Sequence, residues 1–347
     1  MISEMQSAPI FKKVLVTGGA GYIGAHACKA LAAAGFLPIT YDNLVHGHDD
    51  AVKWGPLERG DIQDRARLDD VISRWRPSAI MHFAAFAYVG QSVADPGSYY
   101  RNNVAGSLTL LEAARDSGID RFVFSSTCAI YGTPDALPIS EEMTQRPINP
   151  YGASKLMVER MLTDFGAAHG LRSIALRYFN AAGADPDGEI GESHDPETHL
   201  IPLVLDAASG RRPAVTIFGA DYDTPDGTCI RDYVHVTDLA DAHVKALQAL
   251  ESGAPSNACN LGNGQGYSVR EVINAARRIT GCEVPLLPGD RRAGDPAALV
   301  SDATRAREIL GWQPRITDLD EIIRTAWAWH QKRSAASHAA VARVAIA

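Results

Sequence analysis

Cysteine is scarce in this sequence and carries no pattern. Five residues (Cys28, Cys128, Cys229, Cys259, Cys282) are spread over 347 positions without a C-x-x-C pair. Neither a disulfide framework nor a thiolate zinc site is indicated, and a reducing cytoplasm is expected. Long apolar runs are also missing. No stretch of about 18 uninterrupted apolar residues occurs, and the first residues lack the charged start and apolar run of a signal peptide, which predicts a soluble protein with no membrane partner. Charge of one sign is never concentrated: 33 basic residues are scattered among 41 acidic ones, for a net charge of −8. That speaks against a nucleic-acid surface, so anionic ligand groups must be met locally. There is no internal repeat or low-complexity linker. Only the stretch after residue 334, mostly alanine, reads as a frayed helix or disordered tail.

The remainder is rich in apolar residues (46%), enough for one large α/β domain or two lobes. Short β-branched runs at 13–17, 36–41, 79–83, 121–125 and 172–177 read as strands, with helical spacing at 22–34, 64–75, 98–117 and 151–169 between them. Such alternation implies a parallel sheet covered on both faces. From Asn180 the texture turns Gly/Pro/Asp-rich, and short elements resume at 199–210, 214–218, 236–251, 269–280 and 317–332. We read this as a smaller lobe interleaved with the first, with the site in the crevice between them.

The first strand runs into Gly18-Gly19-Ala20-Gly21-Tyr22-Ile23-Gly24 and then a helix. Gly18 suits a tight turn, Gly21 lets backbone approach a pyrophosphate, Gly24 lets helix pack on strand, and the helix start supplies amides for phosphate. Asp42, ending the second strand, is placed to bind the ribose hydroxyls of an adenosine and to repel a 2′-phosphate, favouring NAD over NADP. A plain turn-forming role for Asp42 is the alternative. Asp61-Ile62 either lies over the adenine or caps the next helix. A Rossmann-type doubly wound parallel sheet is expected, comprising 12–180 and about 236–262, with a smaller α/β substrate lobe from 181–235 and 263–333.

Downstream, Tyr151-Gly152-Ala153-Ser154-Lys155 places a phenol and an ammonium four residues apart on one helix face. A phenol loses its proton near pH ~10. A neighbouring ammonium, and the positive charge of an oxidised nicotinamide, would lower that value and make Tyr151 a usable base. His46-Gly47-His48-Asp49-Asp50 contains possible metal ligands but lacks helical histidine spacing and reads as a solvated loop, so no metal is expected.

The GxxGxxG spacing with YxxxK resembles the extended short-chain dehydrogenase/reductase superfamily. The strings TGGAGYIG, YDNL, HFAA, NNV, FSSTCAIYG, NPYGASK, LRYFNAAGA, GTCIRDYVHVTDLADAH, NLG and RRAGD, in order over roughly 13–333, resemble UDP-glucose 4-epimerases and their relatives acting on nucleotide sugars. The resemblance implies NAD contact by Gly18, Gly21, Tyr22, Ile23, Gly24, Asp42, Asn43, Asp61, Ile62, Phe83, Ala84, Asn103, Ser125, Tyr151, Lys155 and Tyr178. It makes Tyr151 the base, Lys155 its electrostatic support and Thr127 the hydroxyl that bonds the reacting sugar oxygen. For the substrate it implies Thr127, Asn180, His199, Leu200, Phe218, Arg231, Tyr233, Arg292, Asp295 and Leu299, with Arg231 and Arg292 on the diphosphate. Leu200 reads equally as ordinary packing. A homodimer through the Tyr151 helix and the helix near 98–117 is also implied.

Superfamily dehydratases carry Asp-Glu after the threonine, and decarboxylases a Glu two positions on. Cys128 and Ala129 offer neither, leaving redox at one carbon with return of the hydride, hence 4-epimerisation of a UDP-hexose. Three positions depart from the family pattern. Ala87 and Tyr88 lie where bacterial members have lysine, His199 replaces an asparagine, and the gate, often Tyr or Cys, is Leu299. UDP-N-acetylhexosamine or UDP-xylose/UDP-arabinose therefore stand as alternative substrates, and a non-catalytic NAD-binding sensor as a remote one.

Overall fold

The computed structural model describes residues 11–292 and 295–344. In chain order its first part runs β1 (Lys12–Thr17), α1 (Tyr22–Ala33), β2 (Phe36–Asp42), β3 (Leu57–Arg59), α2 (Arg65–Trp75), β4 (Ala79–His82), α3 (Val89–Ala94), α4 (Pro96–Tyr99), α5 (Gly106–Asp116), β5 (Arg121–Thr127), α6 (Pro150–His169) and β6 (Arg172–Tyr178). Then follow β7 (Asn180–Ala182), α7 (Leu200–Ala208), β8 (Val215–Phe218), β9 (Ile230–His235), α8 (Val236–Glu251), β10 (Asn257–Leu261), β11 (Gly266–Ser268), α9 (Val269–Thr280), β12 (Leu286–Gly289), β13 (Ala298–Leu299), α10 (Thr304–Leu310) and α11 (Leu319–Val344).

Period-two alternation divides the main sheet into two apolar faces. In β1, Val14 and Val16 join a core with Leu31 of α1 and Leu239 and Leu247 of α8, whereas Leu15 joins Leu68 of α2, Leu110 of α5 and Val158 of α6. Both faces are thus covered, as a parallel sheet requires. The strands pair in the order β10-β6-β5-β4-β1-β2-β3, all parallel. The direction of winding reverses between β1 and β4, so a crevice opens beyond their carboxyl ends. The expected doubly wound sheet and smaller α/β lobe are both present.

In the second lobe β9 is shared by β7, β11 and β13, and β8 pairs with β12. Ile201 and Leu205 of α7, Val272 of α9 and Ile322 of α11 close its core. Two details differ from the sequence reading. The helix expected over 98–117 contains a π-helical segment, Tyr100–Ala105, between α4 and α5. The final helix runs to Val344, so the tail expected to fray or be disordered after 334 continues it, and 345–347 lie outside the described residues.

Two polar features sit inside these apolar layers. His82 is buried between Thr17 Oγ1 (2.6 Å) and Ser107 Oγ (2.8 Å), and burial, with Lys155 adding to it, pushes its pKa down to about 3. Arg177 of β6 and Glu159 of α6, both nearly inaccessible, form an ion pair at 2.6 Å. Burial works against the Arg177 charge, but the Glu159 carboxylate outweighs it. His82 stays neutral in the fold down to about pH 3, while the unfolded chain takes up a proton near 6.5, so unfolding is favoured as pH falls below 6.5. Urea titrations at pH 5 and 6 should show His82→Gln losing roughly 1.4 kcal/mol less stability per pH unit than wild type. Glu159→Gln, which strands the Arg177 charge, should cost about 3 kcal/mol at pH 7 in the same assay.

Candidate active site

At the end of β1 the chain turns through Gly18 at φ +75°, where a Cβ would lie 2.5 Å from Ala84 N. Only glycine fits both the left-handed backbone and that approach. Phe83 N and Ala84 N donate to Thr17 O (2.8 and 3.0 Å), laying the segment after β4 across this turn. α1 then begins at N-cap Gly21 with no side-chain cap and no acidic residue in its first turn. Its leading amides and dipole therefore remain available to an anion. On the adjacent strand Asp42 is buried, its Oδ2 accepting from Ala20 N (3.0 Å) and Oδ1 from Leu44 N (2.8 Å). Burial raises its pKa more than these bonds lower it.

Asn43 Nδ2 donates to Asp61 Oδ2 at 2.9 Å, while Asp64, not Asp61, caps α2. The capping alternative for Asp61 is thereby removed. Ile62 is in the core beside Leu68 and Leu110. The π-helical segment carries Asn103 inward, where its Oδ1 accepts from Phe86 N (2.8 Å) and its Nδ2 donates to Phe86 O and Ser154 Oγ. The backbone turn, uncapped helix start and carboxylate at the β1/β4 switch together fit a dinucleotide such as NAD.

The catalytic candidates meet where β5 ends. Asn149 caps α6 by accepting from Gly152 N at 2.8 Å, and Pro150 occupies the first turn. A Cβ on Gly152 would lie 2.5 Å from Ala129 O, so glycine lets the start of α6 close onto the turn after Thr127. Tyr151, Lys155 and Thr127 are all buried there, and the Thr127 hydroxyl bonds the Tyr151 phenol. Lys155 Nζ donates to Ser125 O at 2.8 Å, and Ser125 Oγ and the Tyr178 hydroxyl are 2.5 Å apart.

Protonation departs from the sequence expectation. Burial, and then Tyr178, hold the Tyr151 phenol above its ordinary value, against the Thr127 hydrogen bond that lowers it. Burial likewise pushes Lys155 down to about 7, with Glu159 opposing. The ammonium does not lower Tyr151 in the protein alone: Lys155 Nζ is held by Ser125 O, and desolvation favours the neutral form of both groups.

On the substrate side, Arg231 of β9 is paired with the Asp295 carboxylate and donates to Ile230 O. The Arg292 guanidinium lies 4.0 Å over the exposed Phe218 ring. Tyr233 is buried opposite Asn180 in the β9–β7 register, and Leu299 is opposite Arg231 in the β13–β9 register. Leu299 also packs against the cluster of Cys128, Ile130, Tyr131 and Phe179, joining the gate position to the catalytic turn. Leu200 packs against the second-lobe core, the plain reading of that residue. His199 does not stand free: its Nδ1 is 2.8 Å from Glu192 and 3.0 Å from Glu197, and although burial opposes it, these carboxylates raise its pKa to about 10.

Two groupings went unseen in the sequence. Behind Lys155, Ser126 Oγ and Arg177 bond Glu159, Arg177 donates to the Tyr131 hydroxyl (2.8 Å), and that hydroxyl donates to Asn260 Oδ1 (2.7 Å). An arginine inside a strand pattern and a glutamate one turn beyond Lys155 were the available signals. Glu192, His194, Glu197 and His199 also converge, whereas His48 of the histidine loop bonds Ser193 O.

Residues 14–262 match the family described as NAD dependent epimerase/dehydratase. A UDP-glucose 4-epimerase of Rhizobium meliloti (strain 1021) is 56% identical over 321 residues, covering 92% of this chain and 98% of that protein. A structure of UDP-glucose 4-epimerase from Brucella ovis in complex with NAD gives a TM-score of 0.90 at 55% identity, covering 91% of this chain and 97% of the other. One from Stenotrophomonas maltophila, with bound NAD and formylated UDP-arabinopyranose, gives 0.91 at 40% identity, covering 94% and 99%. A glycine turn at the sheet's switch point, a buried Tyr151/Lys155 pair and a match across most of the length agree: the chain belongs to the NAD dependent epimerase/dehydratase family.

Proposed function

We propose that this chain is an NAD-dependent UDP-hexose 4-epimerase that interconverts UDP-glucose and UDP-galactose through a 4-keto sugar. The observation that carries this reading is a single usable base. Beside Tyr151 and Thr127, position 129 is alanine and the Cys128 thiol is pushed up to about 12 by burial. No second proton shuttle operates near neutrality, as dehydration or decarboxylation would need. When bound, NAD supplies a hydride acceptor for sugar carbon 4, returns the hydride to the opposite face and, oxidised, brings positive charge to the site. Gly18, Gly21, Tyr22, Ile23 and Asp42 would hold it.

The protein's part is proton transfer and positioning. Tyr151 takes the proton of the sugar hydroxyl and gives it back, and Thr127 orients that oxygen. Lys155, near its midpoint at neutral pH, supplies charge within one helical turn. Arg231 and Arg292 bind the diphosphate, Arg being suited to bidentate contact. Anchoring there leaves the sugar free to turn over. His199 is omitted from the substrate contacts, because its Nδ1 is engaged by Glu192 and Glu197. The aliphatic Leu299, packed toward Cys128 and Phe179, supports a second reading that admits UDP-N-acetylhexosamines or UDP-xylose and UDP-arabinose.

Among the described residues no helix is long and apolar enough to cross a membrane, and all five cysteines are free, which supports a cytoplasmic location as part of this proposal. Purified protein without added NAD should convert UDP-galactose to UDP-glucose, with products identified by chromatography across a panel of UDP-hexoses, UDP-N-acetylhexosamines and UDP-pentoses. Tyr151→Phe should lower kcat by roughly 10²–10⁴-fold, and an unchanged rate would remove the assigned base. A homodimer belongs to the same proposal, supported by exposed apolar side chains of Leu108 on α5 and Met157 on α6. Sedimentation equilibrium should give twice the chain mass for wild type and a lower mass for Met157→Arg; a monomeric wild type would rule the dimer out.

A further inference from the structure

Between β7 and α7 the chain reads Glu192-x-His194-x-x-Glu197-x-His199, and the fold draws one donor atom from each of the four side chains to within 4.8 Å of the others. His199 Nδ1 is 2.8 Å from Glu192 Oε1 and 3.0 Å from Glu197 Oε1, while His194 Nδ1 is 3.1 Å from Glu192 Oε1 and 3.8 Å from Glu197 Oε2. A tetrahedral ion with bonds of about 2.0–2.1 Å separates its ligand atoms by roughly 3.3–3.4 Å, inside the observed spread. We propose that Glu192, His194, Glu197 and His199 form a structural Zn²⁺ site, unrelated to the chemistry at Tyr151.

Charge balance supports it. The Glu192 and Glu197 side chains are only 9% and 14% exposed, and among the described residues neither pairs with a lysine or arginine. Two carboxylates brought together away from water need two positive charges close by. One dication with two neutral imidazoles meets that need and uses all four donors. The surroundings are those of a held site. Glu197 Oε1 accepts from Thr198 N (2.7 Å) and His199 N (2.8 Å), and Trp329 Nε1 donates to Glu192 O (2.9 Å). Such outer contacts orient metal ligands. The rings of Tyr88 and Tyr22 stand edge-on to His194 at 5.9 and 6.3 Å, and the Tyr88 hydroxyl oxygen beside the two carboxylates is buried without a partner.

The donor set selects the ion. Two imidazoles and two carboxylates suit Zn²⁺, whereas Ca²⁺ and Mg²⁺ call for six or more oxygens. Four protein ligands leave no open position, which makes the role structural. The ion would fix 192–199, the segment that leads into α7 and reaches the glycine-loop side through Tyr22 and the His48–Ser193 contact. The other acidic group, Asp185, Asp187 and Glu189, is already served by Lys29 Nζ at 2.7–2.9 Å and carries no such proposal.

The full-length protein, stripped with chelator and reloaded with ZnCl₂, should retain one zinc per chain after gel filtration, measured by elemental analysis, and titration calorimetry should give the same stoichiometry. His194→Ala and Glu192→Gln should each weaken zinc binding by at least about 100-fold, beyond the 10–100-fold seen for second-shell changes, while Asp187→Asn should bind as wild type. Zinc should raise the Tm of wild type and leave His194→Ala unmoved. Wild type that retains no zinc, or variants that bind it undiminished, would overturn the assignment. The wild-type stoichiometry decides even if a variant fails to fold, and it does not depend on whether the protein acts on UDP-sugars.

Discussion

A lysine held almost out of reach of solvent, 3% exposed, is the constraint around which this molecule is arranged. Lys155 cannot keep a charge in that position unaided, and the fold answers with the Ser125 carbonyl at 2.8 Å and the Glu159 carboxylate one turn away. Glu159 is itself buried and is balanced by Arg177, whose second contact, the Tyr131 hydroxyl, leads to Asn260 of β10. The chain of partners thus crosses from α6 through β6 to the edge of the sheet. The protonation state at the catalytic turn is tied by this route to the packing of elements far apart in the chain.

The same turn joins the two lobes. Gly152 lets α6 reach the Ala129 carbonyl, which brings Tyr151 against Thr127, and the residues that follow Thr127 form an apolar cluster with Leu299 of the second lobe. β13 places Leu299 beside Arg231 of β9, and Arg231 is steadied by Asp295. Base, gate and diphosphate arginine therefore belong to one connected set of contacts. A change of gate size at Leu299 acts on Cys128 as well as on the sugar space.

Much of this was legible in the chain. The glycine turn, Asp42, the strand–helix alternation and the Tyr151/Lys155 spacing are local patterns, and each lies where its spacing placed it. The readings that changed depended on partners. Asp61 and Asp64 are equally plausible caps in a sequence, and only the hydrogen bond from Arg67 N separates them. Helical periodicity over 98–117 gives no sign of a π segment, because one extra residue in a turn leaves the apolar pattern nearly intact. His199 read as a substrate contact until Glu192 and Glu197 were seen to take its Nδ1.

The sequence by itself determined the order of strands and helices, the dinucleotide loop and the identity of the phenol–ammonium pair. These follow from short-range spacing, side-chain size and backbone freedom, which are properties of neighbours in the chain. Tertiary structure alone decided that Tyr151 is held protonated and Lys155 brought down to about 7, since desolvation depends on everything packed around a group. It also decided which distant residues share a charge: Glu159 with Arg177, and two glutamates with two histidines between β7 and α7. A buried charge must find its partner in space, and position along the chain does not say where that partner lies.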